Sequence, residues 1–362
     1  MVLAENQVRD GSCIRPDTQG IKACGAVHTQ EFAAEAAQQN VIACHYRART
    51  GLYQRTAISM AGSSLISGTS CRRVAPASPS AAPIHTAPLA PRAWLREDAL
   101  LLRSPFRSMN EARLTSVVVE SPPRTIAVCV REGKGPGLFW LGGFKSDMKG
   151  TKAAALDGWA AQQGRGCVRF DYSGHGESGG DFRDGTIGRW LDESVAVYRA
   201  FAKGPQVLIG SSMGGWIALL LSQRLRQTKD APPLAGIVLI APAVDFTEEL
   251  MWKRFSPAMK RDIEQKGEWL RPSEYSDDPY PITRALIEEG RDHLLLGGLI
   301  EPGCPVHILQ GVQDPDVPWR HAVELVSRFA RDDVVLTLIK DGDHRLSRPE
   351  DIERLIAAVG EF

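Results

Sequence analysis

An apolar run, Val207-Leu208-Ile209, leads into Gly210-Ser211-Ser212-Met213-Gly214, and an apolar helix-like run, Trp216 to Leu221, leads out of it. This stretch constrains the fold more than any other, because it demands a strand that turns sharply into a helix with a serine at the apex. Lifting that hydroxyl clear of the sheet needs a tight turn in a strained backbone conformation, and side chains on either side would collide with strand or helix. Gly210 and Gly214 remove those collisions. The turn also aims the first helical N–H groups, that of Met213 included, at the space in front of the serine. The same five-residue spacing recurs at Gly176-Glu177-Ser178-Gly179-Gly180, but no apolar run abuts it and Asp181-Phe182-Arg183-Asp184-Gly185 follows, which is loop chemistry. Context therefore selects Ser212.

A serine hydroxyl is a poor nucleophile at neutral pH and needs a histidine base, itself oriented by a carboxylate. The chain has eight histidines. Val334 to Ile339 reads as a strand and opens into Lys340-Asp341-Gly342-Asp343-His344-Arg345, which puts His344 just past a strand end. His307 falls inside the strand run Val306 to Gln310, and His293 and His321 fall in stretches that read as helical, where packing or surface roles fit better. The strand Val306 to Gln310 opens into a turn-rich loop carrying Asp314 and Asp316. Asp314, nearer the strand end, is the favoured acid, with Asp316 as the alternative. Leu138-Phe139-Trp140-Leu141 runs into Gly142-Gly143-Phe144, whose glycines allow close main-chain approach, so the Phe144 N–H joins that of Met213 as an oxyanion donor. Gly133-Lys134-Gly135-Pro136-Gly137 lacks the ending and following helix of a phosphate loop and reads as a turn.

These residues together resemble the α/β-hydrolase superfamily. Phe170 to Ser178 is similar to its D-x-x-G-x-G-x-S loop, and Gly311 to Pro318 to its G-x-x-D-x-x-V-P acid loop. A narrower resemblance, to the mitochondrial palmitoyl-protein thioesterase and acyl-glucuronide esterase family and its bacterial relatives, rests on Met148 to Lys152, Arg169 to Gly174, Gly210 to Trp216, Val317-Pro318-Trp319 and Asp343-His344-Arg345. It implies a triad of Ser212, Asp314 and His344, an oxyanion hole from the backbone of Phe144 and Met213, and cleavage of acyl thioesters or esters through an acyl-serine. The matching substrates are acylated proteins or small acyl esters. A general carboxylesterase and a non-catalytic α/β-hydrolase scaffold are the competing readings.

Eight strand candidates follow one another: 115–120, 126–130, 138–141, 167–171, 207–209, 237–240, 306–310 and 334–339, with helical stretches between them after the third. That alternation predicts an α/β-hydrolase fold, a mostly parallel eight-stranded sheet with helices on both faces and its site at the strands' carboxyl ends. The long stretch from Val244 to Leu299, punctuated by Phe246, Trp252, Phe255, Trp269, Tyr275 and Tyr280, predicts a small helical cap over Ser212, whose aromatics either suit an apolar acyl group or form the cap's own core. Lys253, Arg254 and Lys260 in the same stretch are able to meet an anionic substrate group, or remain solvated surface charge.

The catalytic domain is expected over 109–362. Residues 1–108 read as a disordered leader: no acidic residue occurs from Ala36 to Arg92, and Ala-, Ser-, Pro- and Arg-rich sequence cannot bury enough apolar surface to order itself. Two explanations compete evenly: a transit-peptide-like leader, implying a mitochondrial address, or a true start at Met109, implying a cytoplasmic one. Seven cysteines without a C-x-x-C pair fit a reducing intracellular compartment. The zero formal net charge offers no basic face for nucleic acid. No apolar run approaches a membrane span, and no zinc-like spacing or cofactor motif calls for a metal or cofactor. Oligomeric state is left open.

Overall fold

The computed structural model describes residues 111–120, 122–272, 279–330 and 333–362. The expectations for residues 1–108 and for Tyr275 lie outside these. Among the described residues ten strands form in chain order: β1 Arg113–Val119, β2 Arg124–Arg131, β3 Lys134–Leu141, β4 Arg165–Phe170, β5 Gln206–Ser211, β6 Leu234–Ile240, β7 Glu268–Arg271, β8 Tyr280–Thr283, β9 Val306–Gly311 and β10 Val334–Ile339. Eight of them make one sheet in the order β1-β2-β4-β3-β5-β6-β9-β10. Only β2 runs against its neighbours; the other pairings are parallel. All eight strand candidates read from the sequence belong to this sheet.

The helices are α1 Thr151–Gln163, α2 Ile187–Phe201, α3 Met213–Arg226, α4 Pro257–Lys266, α5 Arg284–Gly290, α6 Trp319–Arg328 and α7 Pro349–Gly360. Strand side chains alternate between two cores, which is why the central strands carry unbroken apolar runs such as Leu138–Leu141, Val207–Ile209 and Ile237–Ile240. Leu138, Trp140, Val207 and Ile209 face one core with Leu156 and Ala160 of α1 and Leu355, Ala358 and Val359 of α7. Phe139, Leu141 and Leu208 face the other, with Trp190 and Val197 of α2 and Leu221 of α3. Helix α3 is buried all round from Met213 to Ser222, because the sheet lies beneath it and the insertion between β6 and β9 crosses above.

Two expectations change. The Gly133–Gly137 segment, read as a turn, is mostly strand: β3 begins at Lys134, four residues earlier than the apolar run. Neighbouring segments on both sides supply its partners, Lys134 N donating to Gly164 O and Gly137 N to Pro205 O, and the β3–β4 register shifts between Lys134 and Leu138 to absorb the irregular residues. The insertion, expected to be helical, contains α4 and α5 but also an antiparallel hairpin of β7 and β8 that pairs Trp269 with Ile282. Four-residue strands are too short for alternation to announce them. Asp245, at φ +56°, ties the insertion down: its carboxylate accepts from the N–H groups of Leu295 (2.9 Å) and Leu296 (2.8 Å).

Candidate active site

Ser212 is the residue between β5 and α3, at φ +54° and ψ −118°, the strained backbone that the glycine-flanked turn requires. Its N–H donates to Ile240 O (2.9 Å), and its carbonyl accepts from Gly215 N (2.9 Å) and Ala243 N (3.1 Å), so the main chain over-determines the strain. The side chain makes no helix-capping bond. A Cβ on Gly214 would lie 2.1 Å from Leu141 O and 2.5 Å from Gly142 O, both backbone atoms at the end of β3. Gly214→Ala is therefore expected to push α3 off β3 and to destabilise by about 1–3 kcal/mol in urea unfolding; an unchanged midpoint would show that the approach is not tight.

Two loops bring the other chemistry to this apex. After β9 and β10 the chain runs side by side, with Val312 N donating to Ile339 O and Gln313 N to Gly342 O, and a Cβ on Gly311 would stand 2.4 Å from Gly342 O. That contact places the loop carrying Asp314 against the loop carrying His344. His344 Nε2 lies 3.1 Å from Ser212 Oγ, and His344 Nδ1 lies 2.8 Å from Asp314 Oδ2. A carboxylate only accepts, so Nδ1 carries the proton and Nε2 presents its lone pair to the hydroxyl. The Asp314 side chain is fully buried, its Oδ1 accepting from Asp316 N (2.9 Å) and Val317 N (2.8 Å) and its Oδ2 from Gln310 Nε2 (3.2 Å).

Asp316 turns the other way, its Oδ1 3.4 Å from Arg271 Nη2 on β7. Among the described residues, Asp314, Asp316 and His344 also form the one group with donor atoms close enough for a cation, all within 4.8 Å, but Asp314 Oδ2 and His344 Nδ1 already bind each other. The other downstream histidines are occupied elsewhere: His293 with Glu289, His307 with Glu361 and Thr337, His321 with Val244 O. Ser178, in the second G-x-S-x-G match, is a loop clamp that donates to Asp171 O (2.6 Å) and accepts from Ala127 N (2.8 Å).

The main chain leaving β3 passes alongside the serine, since a Cβ on Gly143 would be 3.4 Å from Ser212 Cβ. Phe144 and Met213 line the same cavity as Ser212 and His344, a space of about 930 Å³ roofed by the insertion through Phe246, Phe255, Trp269 and Tyr280. Trp252 is absent from this lining and instead stacks beneath Lys260 and Arg291. Of the three basic residues singled out in the sequence, Arg254 reaches the cavity, Lys253 pairs with Glu249, and Lys260 covers Trp252.

Two residues had no sequence signal for their roles here. Lys152 of α1 lines the cavity and donates from Nζ to Arg345 O and Ser347 Oγ, pinning the loop that carries His344; burial and the Arg345 guanidinium push its pKa down to about 8. His175, quoted only as part of a loop motif, reaches the chain beside Phe144: its Nε2 accepts from Lys145 N (3.1 Å). Both contacts span distant parts of the chain, so no local pattern announces them.

The sequence profile of the alpha/beta hydrolase family matches residues 135–355. The chain is similar to the palmitoyl-protein thioesterase ABHD10, mitochondrial, of Homo sapiens (35% identity) and of Bos taurus (36%), in each case over 232 residues that cover 64% of this chain and 74% of the relative. Among solved structures, a protein from Agrobacterium vitis S4 is 50% identical with a TM-score of 0.67, covering 70% of this chain and 98% of the other. The alpha/beta hydrolase domain-containing protein 10 from mouse is 33% identical with a TM-score of 0.62, covering 69% and 98%. With its sheet, its strained serine turn and these matches, the chain belongs to the alpha/beta hydrolase family and is a hydrolase.

Proposed function

We propose that the protein cleaves acyl thioesters and esters with a long apolar acyl chain, in the manner of a palmitoyl-protein thioesterase, through an acyl-Ser212 intermediate. His344 takes the Ser212 proton as Oγ attacks the acyl carbonyl. The resulting oxyanion is held by the backbone N–H groups of Phe144 and Met213. Collapse of the tetrahedral species breaks the acyl–S or acyl–O bond, and the imidazolium protonates the departing thiolate or alkoxide. Water, deprotonated by the same imidazole, then attacks the acyl-serine, and the fatty acid leaves as Ser212 regains its proton. Asp314 keeps the imidazole in the required tautomer and stabilises its charged form. On this reading residues 109–362 are the catalytic unit and about 244–299 its substrate-facing cap.

The observation that carries the proposal is the continuous Asp314–His344–Ser212 chain of hydrogen bonds opening into an aromatic-roofed cavity. An apolar wall rewards each methylene it removes from water by about 0.8 kcal/mol. In a series of acyl thioesters from four to sixteen carbons, kcat/KM should therefore climb by up to about fourfold per methylene until the cavity is full. A flat profile, or one that peaks at the short end, would replace this reading with a general carboxylesterase. An acyl glucuronide belongs in the same series, because Arg254 and Arg271 line the cavity and are suited to a carboxylate. The mitochondrial address of the curated relatives is a proposal for this chain too.

A further inference from the structure

We infer that His175 is a positioning residue for the reaction, holding the main chain at Lys145 so that the neighbouring Phe144 N–H points at the oxyanion. The inference rests on the assignment of Phe144 as an oxyanion donor. Three observations support it.

The first is the pair of bonds made by the imidazole. Nδ1 lies 3.1 Å from Ser173 O and Nε2 lies 3.1 Å from Lys145 N. A carbonyl oxygen only accepts and a backbone N–H only donates, so the ring must be neutral, with its proton on Nδ1 and its lone pair on Nε2. His175 thus bridges two loops, the one after β4 and the one after β3. The second is what it bridges to. Lys145 is at φ +60°, a conformation that costs free energy for a residue with a side chain and persists only when neighbouring bonds impose it. The bond to His175 falls on that residue, one peptide from the proposed donor, while Ser146 N closes the turn onto Gly143 O (3.2 Å).

The third is the setting of the ring. His175 is 4% exposed and walled by Tyr172, Phe182 and Trp190, with ring centroids at 5.7, 5.1 and 5.3 Å. Burial, reinforced by the Lys145 ammonium, holds its pKa down to about 4, against the raising influence of Ser173 O. The acceptor lone pair therefore survives throughout the pH range in which an imidazole base operates. Trp190 Nε1 also donates to Ser173 O (3.3 Å), so that carbonyl keeps a partner if Nδ1–H is lost, whereas the bond to Lys145 depends on the imidazole.

This asymmetry gives a paired test. The amide oxygen of glutamine reaches roughly to the Nε2 position and can accept from Lys145 N, whereas asparagine reaches only the Nδ1 position. His175→Gln and His175→Asn lose similar packing but differ in the bond that matters. Steady-state kinetics on a long-chain acyl thioester, thermal melts, and inhibition by an alkyl trifluoromethyl ketone, whose tetrahedral adduct places an oxyanion in the hole, are measured on the full chain. His175→Asn should lower kcat and weaken the ketone by about 10- to 100-fold, with KM changed less than about twofold, while His175→Gln stays within about threefold of wild type in both. Wild-type binding of the ketone by His175→Asn, or equal kcat losses in the two variants that track their melting temperatures, would overturn the inference while leaving the oxyanion hole in place. A wild-type protein that binds the fluorinated ketone no more tightly than its unfluorinated analogue would overturn the oxyanion assignment and this inference with it.

Discussion

Ser212→Ala is expected to lower kcat for acyl thioesters by about 10⁵- to 10⁶-fold, and His344→Ala by a comparable factor. The two hydrogen bonds that join Ser212 to His344 and His344 to Asp314 make a chain in which loss of the serine removes the proton to be moved and loss of the imidazole removes the group that would take it. The double variant should therefore be no slower than the worse single variant, and the activity left in it should reflect the oxyanion hole and substrate binding alone. Both singles should melt within a few degrees of wild type. The Ser212 hydroxyl caps no helix end, and its backbone strain, relieved by neither substitution, is imposed by main-chain bonds to Ile240, Gly215 and Ala243. Single-turnover measurements on a chromogenic thioester decide the matter: full activity in Ser212→Ala would end the acyl-serine mechanism, and additive losses would separate the two residues.

Asp314→Asn should lower kcat by about 10⁴-fold with little effect on folding. Asparagine preserves the acceptor that receives Asp316 N and Val317 N, so the loop keeps its shape. Its amide NH₂, at the Oδ2 position facing Nδ1, gives up the bond from Gln310 Nε2, which keeps Gly311 O and Val317 O as acceptors, and selects the opposite imidazole tautomer, putting a proton on Nε2 where a lone pair must meet the Ser212 hydroxyl. Asp316→Asn is the matched control. It removes a part-exposed contact with Arg271, of a kind worth about 0–1 kcal/mol, and kcat should stay within about fivefold of wild type. If Asp316→Asn proved the more damaging change, the acid would have to be reassigned and the cavity wall near Arg271 would become part of the reaction.

How far the sequence could be read follows the range of each interaction. The sheet was legible because a strand buried on both faces must be apolar at successive positions, and Val207-Leu208-Ile209 shows that directly. The Ser212 turn was legible because its strain is local and its glycines are its neighbours. Where signals were short or mixed, reading failed: Gly133–Gly137 carries turn residues yet joins β3 because β4 and β5 supply its partners, and the Trp269–Ile282 pairing occupies strands too brief to show a period.

The sequence by itself determined the chain order of the eight strands of the main sheet, the bend at Ser212, and the presence of a histidine and two carboxylates just beyond late strand ends. Tertiary structure alone decided that Asp314 turns inward to the imidazole while Asp316 turns out to Arg271, that Phe246, Phe255, Trp269 and Tyr280 but not Trp252 roof the cavity, and that Lys152 and His175 brace the loops beside the serine. The physical reason is separation along the chain. Backbone conformation and alternating burial are set by residues a few positions apart, whereas the direction of a carboxylate or an imidazole is set by hydrogen bonds to segments that only folding brings within about 3 Å.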